Sequence, residues 1–531
     1  AQYRFLPYSA IVQRVKLLAT QHPDFVEIYT TQERYGLGSA GSCEMEPGAP
    51  DSPCLVYVME IGNKALRTSE TPTVFFSGTL HGDERVGPTT TIEFATWLLQ
   101  MYSRHHWVRM LVDTRKIIIM PAANALGYAK NTRTENDIDP NRDFAWDQDP
   151  LQCMRTIAAR SINEVWKRNI VQLSITFHGG DHLIAYPWGD SIHCPGSPTN
   201  CQKTIGDRNY VTADNTGMKT MVDGMREFIG AYEETGKSTD TKKYLTGIIN
   251  DPRVIYAVNG GMEDWAYGAS WAYNASPGGK VSCTPTTFGG YAGKTTYNDA
   301  TNRAVNLLVE TAFLKAPGDS VAGWNDGILA GAGGGQVHDG HVTRNIRLCL
   351  YLTDLLQPWV RFVPGTVPST MAAGASGSVQ VEVGGVVTLD EARVTCEDAA
   401  GNSVCAVSST VKNKGVWGGN DRNVGPYTLD FTLDASAVGS VTLRVLIKGD
   451  QSWAATSRPE AAEGLGPPET HFVSARTDDT WDKTNPLEGA RVLGHLWWSC
   501  PPQQMTVTSA RRTLPTISSH KNRRQKRSLS R

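Results

Sequence analysis

Apolar runs typical of buried strands alternate with amphipathic runs typical of helices along the first two thirds of this 531-residue chain. The strand-like runs include "TVFFSGTL", "RKIIIMPAAN", "VQLSITFHGG" and "NRAVNLLVETA", and the helix-like runs include "SAIVQRVKLLATQ" and "HVTRNIRLCLYLTDLL". This alternation is typical of an α/β fold with a mainly parallel (mixed), twisted sheet flanked by helices. We therefore predict one large domain over residues 1–358.

The pattern changes after "LLQPWVRFVPGTVP". Runs such as "GSVQVEVGGVVTLDEARVTCE", "YTLDFTLDAS" and "SVTLRVLIKG" alternate apolar and polar residues between Gly, Ser and Asn turns. Such alternation predicts a small all-β sandwich-like domain over residues 359–500, with an irregular end. Residues 501–531 contain few apolar side chains and are predicted to form a disordered basic tail.

The charge of the chain is unevenly distributed. Residues 1–510 carry 43 basic and 53 acidic residues, whereas residues 511–531 carry eight basic residues and no acidic one. A mildly acidic body argues against nucleic acid as its partner. Because no run of about 18 apolar residues occurs, we also expect no transmembrane segment.

Ten cysteines are present, and six of them lie close together in loop-like sequence. The stretches "SCEMEPGAPDSPC", "HCPGSPTNC" and "TCEDAAGNSVC" predict loops closed by disulfides, and hence a secreted protein or one of the secretory pathway. Unpaired cysteines in a cytosolic protein are the alternative. Cys349, in the helix-like run "IRLCLYLTDLL", is expected to stay free.

Three titratable residues follow or end predicted strands, namely His81, His178 and Glu310. Glu84 follows His81 in "HGDE", a pattern that by itself also fits a surface loop. Ligands of open α/β sheets bind at the carboxyl ends of the strands, so these side chains can converge on one site. Two histidines and one carboxylate form a three-ligand zinc site with an open position for water, whose pKa such a metal lowers to about 7. A separate carboxylate, for which Glu310 has the right location, would then be the general base.

Two further stretches carry polar residues that fit such a site. "DIDPNRDF" contains Asp139, Asn141 and Arg142, and "VIYAVNGGMEDWAYG" contains Tyr256 and Glu263. Taken alone, these stretches are better explained as a polar turn and a glycine-rich loop.

Taken together, "HGDE", "NRDF", "TFHGG", "IYAVNGGMEDW" and "LLVET" resemble, in order and context, the zinc metallocarboxypeptidases of the A/B and N/E/D types. The resemblance covers roughly residues 3–358, and the closest subgroup stays open. It implies one zinc ion per chain, bound by His81, Glu84 and His178. It also implies that Asp139 orients the first zinc histidine, and that the substrates are the C-termini of peptides or proteins.

The resemblance assigns the remaining roles. Asn141 and Arg142 would hold the C-terminal carboxylate of the substrate, and Arg133 would stabilise the oxyanion. Tyr256 would close over the bound substrate, and Glu310 would be the general base.

The resemblance also implies that Glu263 falls near the position that lines the pocket for the leaving residue in carboxypeptidases A and B. Because an acid there suits basic side chains, we predict a preference for C-terminal Lys or Arg. The alternative is that Glu263 is turned aside or paired within the protein.

Two other functions share these motifs. The same zinc centre could act on cell-wall peptides or on glutamate tails, although an acid at Glu263 disfavours acidic leaving residues. A non-catalytic binding protein on this scaffold is the other alternative, but it is disfavoured because every predicted ligand and the base are present.

Overall fold

The computed structural model describes residues 1–67, 71, 73–169, 171–194, 201, 211–212, 215–231, 243–268, 283, 304–330, 338–356, 359–384, 386–407, 413–414, 426–451, 498–499 and 503–509. The helices are α1 (Tyr8–Gln21), α2 (Thr31–Tyr35), α3 (Val86–Met101), α4 (His106–Thr114), α5 (Ala125–Lys130), α6 (Ile157–Trp166), α7 (Asn215–Ile229), α8 (Met262–Gly268), α9 (Gly327–Ala330) and α10 (His341–Leu355), with 3-10 turns at Pro140–Arg142 and Asp319–Val321. The helices and the first ten strands belong to the first region, before residue 357. Its strands are β1 (Val26–Thr30), β2 (Ser42–Cys43), β3 (Ser52–Pro53), β4 (Tyr57–Ile61), β5 (Thr73–Ser77), β6 (Lys116–Met120), β7 (Val171–His178), β8 (Asp181–Tyr186), β9 (Leu245–Ile248) and β10 (Val305–Ala312).

Eight of these strands form one mixed sheet in the order β1-β4-β6-β5-β7-β10-β8-β9. The four strands at its centre, β6, β5, β7 and β10, are parallel to one another. Antiparallel pairs lie towards both edges, at β1–β4, β4–β6 and β10–β8. Helices α3 and α10 pack against the central strands. The predicted fold class, a mixed sheet flanked by helices, is confirmed for this region.

The sequences of the central strands are continuous apolar runs because the sheet is covered on both faces. All residues of β5 and of β10 are buried. Polar residues within these strands are therefore costly unless they are paired or functional. None of the helices that the structure describes is both long enough and apolar enough to cross a membrane.

The described residues of the second region form two sheets. Its strands are β11 (Trp359–Phe362), β12 (Thr370–Ala372), β13 (Ser376–Gly384), β14 (Val386–Glu397), β15 (Cys405–Val407), β16 (Asn413–Lys414), β17 (Tyr427–Leu433), β18 (Gly439–Gln451), β19 (Trp498–Ser499) and β20 (Gln503–Thr508). One sheet has the order β11-β13-β17-β15 and the other β12-β20-β18-β14-β16. Side chains from both sheets, such as Val379, Phe431 and Val445, share one buried cluster. The predicted sandwich-like architecture is thus observed.

One part of the tail prediction is wrong. Strand β20 pairs with β18 and β12, so residues 503–508 belong to the second sheet although the sequence placed them in the tail. Burial of Met505 and Val507 in the shared core explains the pairing, because alternation in "QQMTVT" directs these two side chains to one face. The basic stretch 511–531 lies outside the described residues, and the boundary at 358 stays a prediction.

The three predicted disulfide loops are present. Cys43 is bonded to Cys54, Cys194 to Cys201 and Cys396 to Cys405. A fourth bond joins Cys153 to Cys283 across 130 residues, a pairing that the sequence did not indicate. Cys349 is buried in α10 and is free, as predicted.

Two buried carboxylates attach the "DIDPNRDF" segment to the N-terminus of α6. Glu135 accepts hydrogen bonds from the backbone N–H groups of Ile157 and Ala158, and Asp143 accepts from those of Arg155 and Thr156. Carboxylates at this position satisfy backbone donors that a helix leaves unpaired. Because these two residues flank Asp139, Asn141 and Arg142, they fix the position of that segment relative to the sheet.

We expect Glu135 to make stability depend on pH. Burial raises the pKa of Glu135 from 4.5 to about 7 in the folded protein, although its two backbone hydrogen bonds oppose the rise. The folded state therefore holds this proton more tightly than the unfolded state, and stability falls as the pH rises from about 4.5 through about 7. Over that window the wild type should lose up to about 3 kcal/mol of unfolding free energy relative to Glu135→Gln.

Denaturant unfolding of both proteins at pH values between about 4.5 and 7.5 measures this difference. Parallel pH profiles for wild type and variant would contradict the expectation.

Candidate metal centre and substrate cavity

The sheet places His178 and Glu310 side by side. His178 is the last residue of β7, and Glu310 is its register partner in the parallel strand β10. Both side chains are buried, at 2% and 9% exposure. As the strand ends predicted, these two residues meet at the carboxyl edge of the central strands.

The "HGDE" segment forms a tight turn between β5 and α3. The N–H of Glu84 donates to the carbonyl of His81 at 3.1 Å. Gly82 allows the turn to approach the start of α5, since a Cβ atom at this position would lie 2.0 Å from the carbonyl carbon of Gly127. The turn directs His81 and Glu84 inwards, where they are 4% and 3% exposed.

His81, Glu84 and His178 converge on one point. The Nδ1 atoms of the two histidines are 3.1 Å apart. Glu84 Oε1 lies 3.1 Å from His81 Nδ1, and Glu84 Oε2 lies 3.1 Å from His178 Nδ1. One ligand atom from each residue falls within a group no wider than 4.8 Å. The three predicted metal ligands are therefore brought together.

This donor set fits a zinc ion. Two imidazole nitrogens and one carboxylate oxygen are the usual protein ligands of a site that keeps one position open. The Nδ1 atoms of His81 and His178 face each other at 3.1 Å, so one cation could bind both of them. Burial alone would raise the pKa of Glu84, but His81 and His178 hold it well below its usual range.

Asp139 lies behind His81. Its Oδ1 atom is 3.0 Å from His81 Nε2, the ring nitrogen that faces away from the three-residue group. Its other oxygen accepts hydrogen bonds from the Nε and Nη2 atoms of Arg133 at 3.1 and 2.9 Å. Such a carboxylate fixes the tautomer and the orientation of a ligand histidine. Arg133 also reaches Glu84 Oε1, with its Nη1 atom at 3.5 Å.

A cavity of about 240 Å³ opens onto this group. It is lined by His81, Glu84, Arg133, Asn141, Arg142, His178, Gly179, Gly180, Asp181, Ile255, Tyr256, Val258, Leu308, Glu310 and Lys315. Arg142 and Asn141 lie on one wall, while Tyr256 is 53% exposed. Ile255, Val258 and Leu308 form an apolar wall.

The loop at Gly260 holds the Asn141–Arg142 wall in place. Phe144 donates its backbone N–H to the carbonyl of Gly260, and Gly260 donates to that of Trp146. Gly260 has φ +67°, and a Cβ atom there would lie 2.5 Å from the carbonyl oxygen of Arg142. Glycine is therefore required for this close approach.

Glu310 carries an oxygen that faces the site without a partner. Its Oε2 atom is buried and has no hydrogen-bond partner in the described part of the chain. Burial raises the pKa of Glu310 to about 7; His178 opposes this rise and Glu84 adds to it. A carboxyl group with such a pKa can take up and release a proton near neutral pH.

Glu263 is brought to the site but not to its cavity wall. It is 2% exposed and lies beside Asn141 and His178, with Oε2 3.5 Å from Asn141 Nδ2 and Oε1 3.9 Å from His178 Nε2. The preference for Lys or Arg that was drawn from Glu263 stays a prediction.

Lys315 and Asp181 line the cavity, although the sequence reasoning named neither. The Nζ atom of Lys315 lies 3.1 Å from Asp83 Oδ2 and 3.3 Å from Glu84 Oε1. The signal in the sequence that could have indicated Lys315 is a basic residue a few positions after the strand that contains Glu310.

Comparison with known proteins shows a similarity to one family within this region. Residues 55–276 match the family model "Zinc carboxypeptidase". The match contains all the predicted site residues except Glu310, whose place in the site rests on its geometry.

Curated relatives agree with the family match. Carboxypeptidase SOL1 of Arabidopsis thaliana is 26% identical over 219 residues, which are 40% of this chain and 40% of that protein. Human carboxypeptidase D is 28% identical over 229 residues, 40% of this chain and 16% of that protein. The chain thus spans less than half the length of these relatives. Among solved structures, thrombin activatable fibrinolysis inhibitor has a TM-score of 0.42 and 13% identity, covering 66% of this chain and 74% of the other.

We expect zinc to stabilise the folded chain through His81, Glu84 and His178. A ligand at about 100 times its Kd adds about 2.7 kcal/mol to the unfolding free energy if it binds only the folded state. Thermal unfolding with and without zinc should therefore show a rise in Tm for the wild type, reversed by a chelator. His178→Ala should lose this rise, because one of three ligands is gone.

His338→Ala is the matched control. His338 also contacts a carboxylate, Asp326, but lies outside the cavity, so its variant should keep the response to zinc. An equal rise in Tm for His178→Ala would contradict the assignment of the ligands.

Proposed function

We propose that this chain, which carries a zinc carboxypeptidase domain, hydrolyses the C-terminal peptide bond of peptides or proteins. One observation carries the proposal: a His-Glu-His group, a buried carboxylate and two arginines line the same cavity of about 240 Å³. The family match supports the reaction class, while the whole protein's substrates are part of the proposal.

Arg142 and Asn141 would bind the free carboxylate of the substrate. A guanidinium meets a carboxylate through two parallel hydrogen bonds, which orients the end of the chain as well as binding it. Tyr256, exposed at the cavity, would cover the bound residue. These contacts would set the last peptide bond opposite the three-residue metal group.

Zinc, bound by His81, Glu84 and His178, would supply Lewis acidity to a water molecule and to the scissile carbonyl. Glu310 would take the proton of the attacking water and pass it to the leaving amine, as its pKa of about 7 permits. Arg133, held by Asp139, would donate hydrogen bonds to the carbonyl oxygen as negative charge develops there.

The preference for C-terminal Lys or Arg is the finer part of the proposal. The apolar wall of Ile255, Val258 and Leu308 can pack against the alkyl stem of Lys or Arg as well as against an apolar side chain. Glu263, from which this preference was predicted, lies beside His178 rather than in the cavity lining, so peptides that differ only in the last residue are the direct test. Release of glutamates alone, or of cell-wall peptides alone, would favour the alternative substrates.

The four disulfides among the described residues support an oxidising location for the protein, in the secretory pathway or outside the cell. Detection of the protein in a secreted fraction would test this part of the proposal.

Glu310→Gln should abolish release of the C-terminal residue while zinc affinity is kept. The amide cannot accept the proton, and loss of a general base typically costs about 10²–10⁴ in rate. Amino acid release from a peptide panel and zinc affinity by competition with a chromophoric chelator are the measurements.

Glu46→Gln is the matched control, since Glu46 is exposed and pairs with Lys16 outside the cavity lining. Full activity of Glu310→Gln would rule out the proposed base. A zinc-loaded wild type that releases no residue from any peptide would contradict the proposed function and favour a binding protein.

Arg142→Ala should lower kcat/KM for peptides with a free C-terminus by about 10–100-fold, the value of about 1.5–3 kcal/mol expected for a hydrogen bond to a charged group. The same variant should change hydrolysis of C-terminally amidated peptides much less, because their terminus carries no charge to pair. The values of kcat/KM for both substrates with wild type and Arg142→Ala form a thermodynamic cycle. This cycle isolates the contact between Arg142 and the substrate carboxylate. Equal losses on the two substrates would show that Arg142 does not bind the carboxylate.

A further inference from the structure

Glu263 has the surroundings of a group that acts on His178. It lies in the first turn of α8 and is 2% exposed. Its Oε2 atom accepts from Asn141 Nδ2 at 3.5 Å, whereas its Oε1 atom is buried without a hydrogen-bond partner among the described residues. The Nε2 atom of His178 lies 3.9 Å from this Oε1 atom.

When His178 binds a metal through one ring nitrogen, its other nitrogen needs a hydrogen-bond acceptor such as Glu263 Oε1. Its Nδ1 atom faces His81 Nδ1 and Glu84 Oε2, so a metal in this group would bind Nδ1. A neutral imidazole that binds a metal through one nitrogen carries its proton on the other. The Nε2 atom of His178 then becomes a buried donor, and a buried donor without an acceptor is costly.

Asn141 cannot be that acceptor. Its Nδ2 atom lies 3.4 Å from His178 Nε2, but its Oδ1 atom accepts from the backbone N–H of Met262 at 2.9 Å. The amide therefore presents its NH₂ group to the ring, and two donors face each other. Glu263 Oε1, which has no hydrogen-bond partner in the described part of the chain, lies on this side of the ring and can accept.

The same arrangement occurs at the other histidine. His81 also faces the group with Nδ1, and its Nε2 atom lies 3.0 Å from a carboxylate oxygen of Asp139. Each of the two ligand histidines thus has one carboxylate next to the nitrogen that faces away from the metal group. A movement of about 1 Å would bring Glu263 Oε1 to hydrogen-bond distance of His178.

We propose that Glu263 is a positioning residue of the metal centre: its carboxylate accepts the Nε2 proton of His178 and holds the ring with Nδ1 towards the metal. This inference rests on the metal site of the proposed function. It differs from the predicted role of Glu263 in selecting basic C-terminal residues, which requires the carboxylate to face the cavity.

Three variants test the proposal: Glu263→Leu removes the acceptor and keeps the volume, Glu263→Gln keeps a neutral acceptor, and Asp139→Asn is the matched change at His81. Partners of ligand histidines typically contribute about 10–100-fold to metal affinity. We expect Glu263→Leu to weaken zinc binding by about this factor and Glu263→Gln to weaken it less. For every active variant, the ratio of kcat/KM for peptides ending in Arg and in Leu should stay that of the wild type.

A second readout keeps the test decisive if Glu263→Leu does not fold. In zinc-loaded protein with ¹⁵N-labelled histidine, the Nε2 proton of His178 should resonate further upfield in Glu263→Gln, because a neutral acceptor forms a weaker hydrogen bond than a carboxylate. Asp139→Asn should shift the signal of His81 and leave that of His178 in place.

Wild-type zinc affinity in Glu263→Leu, or an unchanged His178 signal in Glu263→Gln, would overturn the proposal. A loss of the Arg preference in Glu263→Gln would assign Glu263 to specificity instead. Zinc affinity and the proton signals require no turnover, so they decide this inference even if the wild type cleaves no peptide and the proposed function fails.

Discussion

The parallel pairing of β7 with β10 is the contact on which the site depends. It sets His178 and Glu310 side by side at the edge where the central strands end. Strand β5 pairs on the other side of β7 and leads into the turn that carries His81 and Glu84. Because the three strands run in the same direction, their carboxyl ends deliver these four side chains to one small volume.

Placing so many carboxylates in a buried site requires opposite charge. Glu84, Glu310 and Glu263 are all less than 10% exposed, and an unpaired buried charge is strongly unfavourable. Arg133 and Lys315 each approach Glu84, and Arg133 also pairs with Asp139. A bound cation would add further compensation, so the protein's own charges and the metal act together.

Local patterns in the sequence were sufficient for much of this structure. Continuous apolar runs predicted the buried strands because the central sheet is covered on both faces, and this requirement acts on every residue of the run. The short Cys spacings predicted three disulfides because residues so close along the chain cannot lie far apart. The bond between Cys153 and Cys283 joins distant segments, and no local pattern indicates such a pairing.

The strand at residues 503–508 is an element that local sequence patterns did not predict. Its polar surroundings suggested a disordered tail, but Met505 and Val507 are buried once the second sheet offers β18 as a partner. The strand propensity of a short segment depends on its context, so a lone alternating stretch does not reveal its partner.

By itself, the sequence determined which residue types the site contains and, through the strand ends, that His81, His178 and Glu310 would meet. Only the tertiary structure decided how each of them is held. Asp139 lies behind His81, Lys315 reaches Glu84, and Glu263 lies beside His178 rather than on the cavity wall. The physical reason is that motifs specify chemistry and spacing along the chain, whereas the direction of a side chain depends on packing between segments distant in sequence.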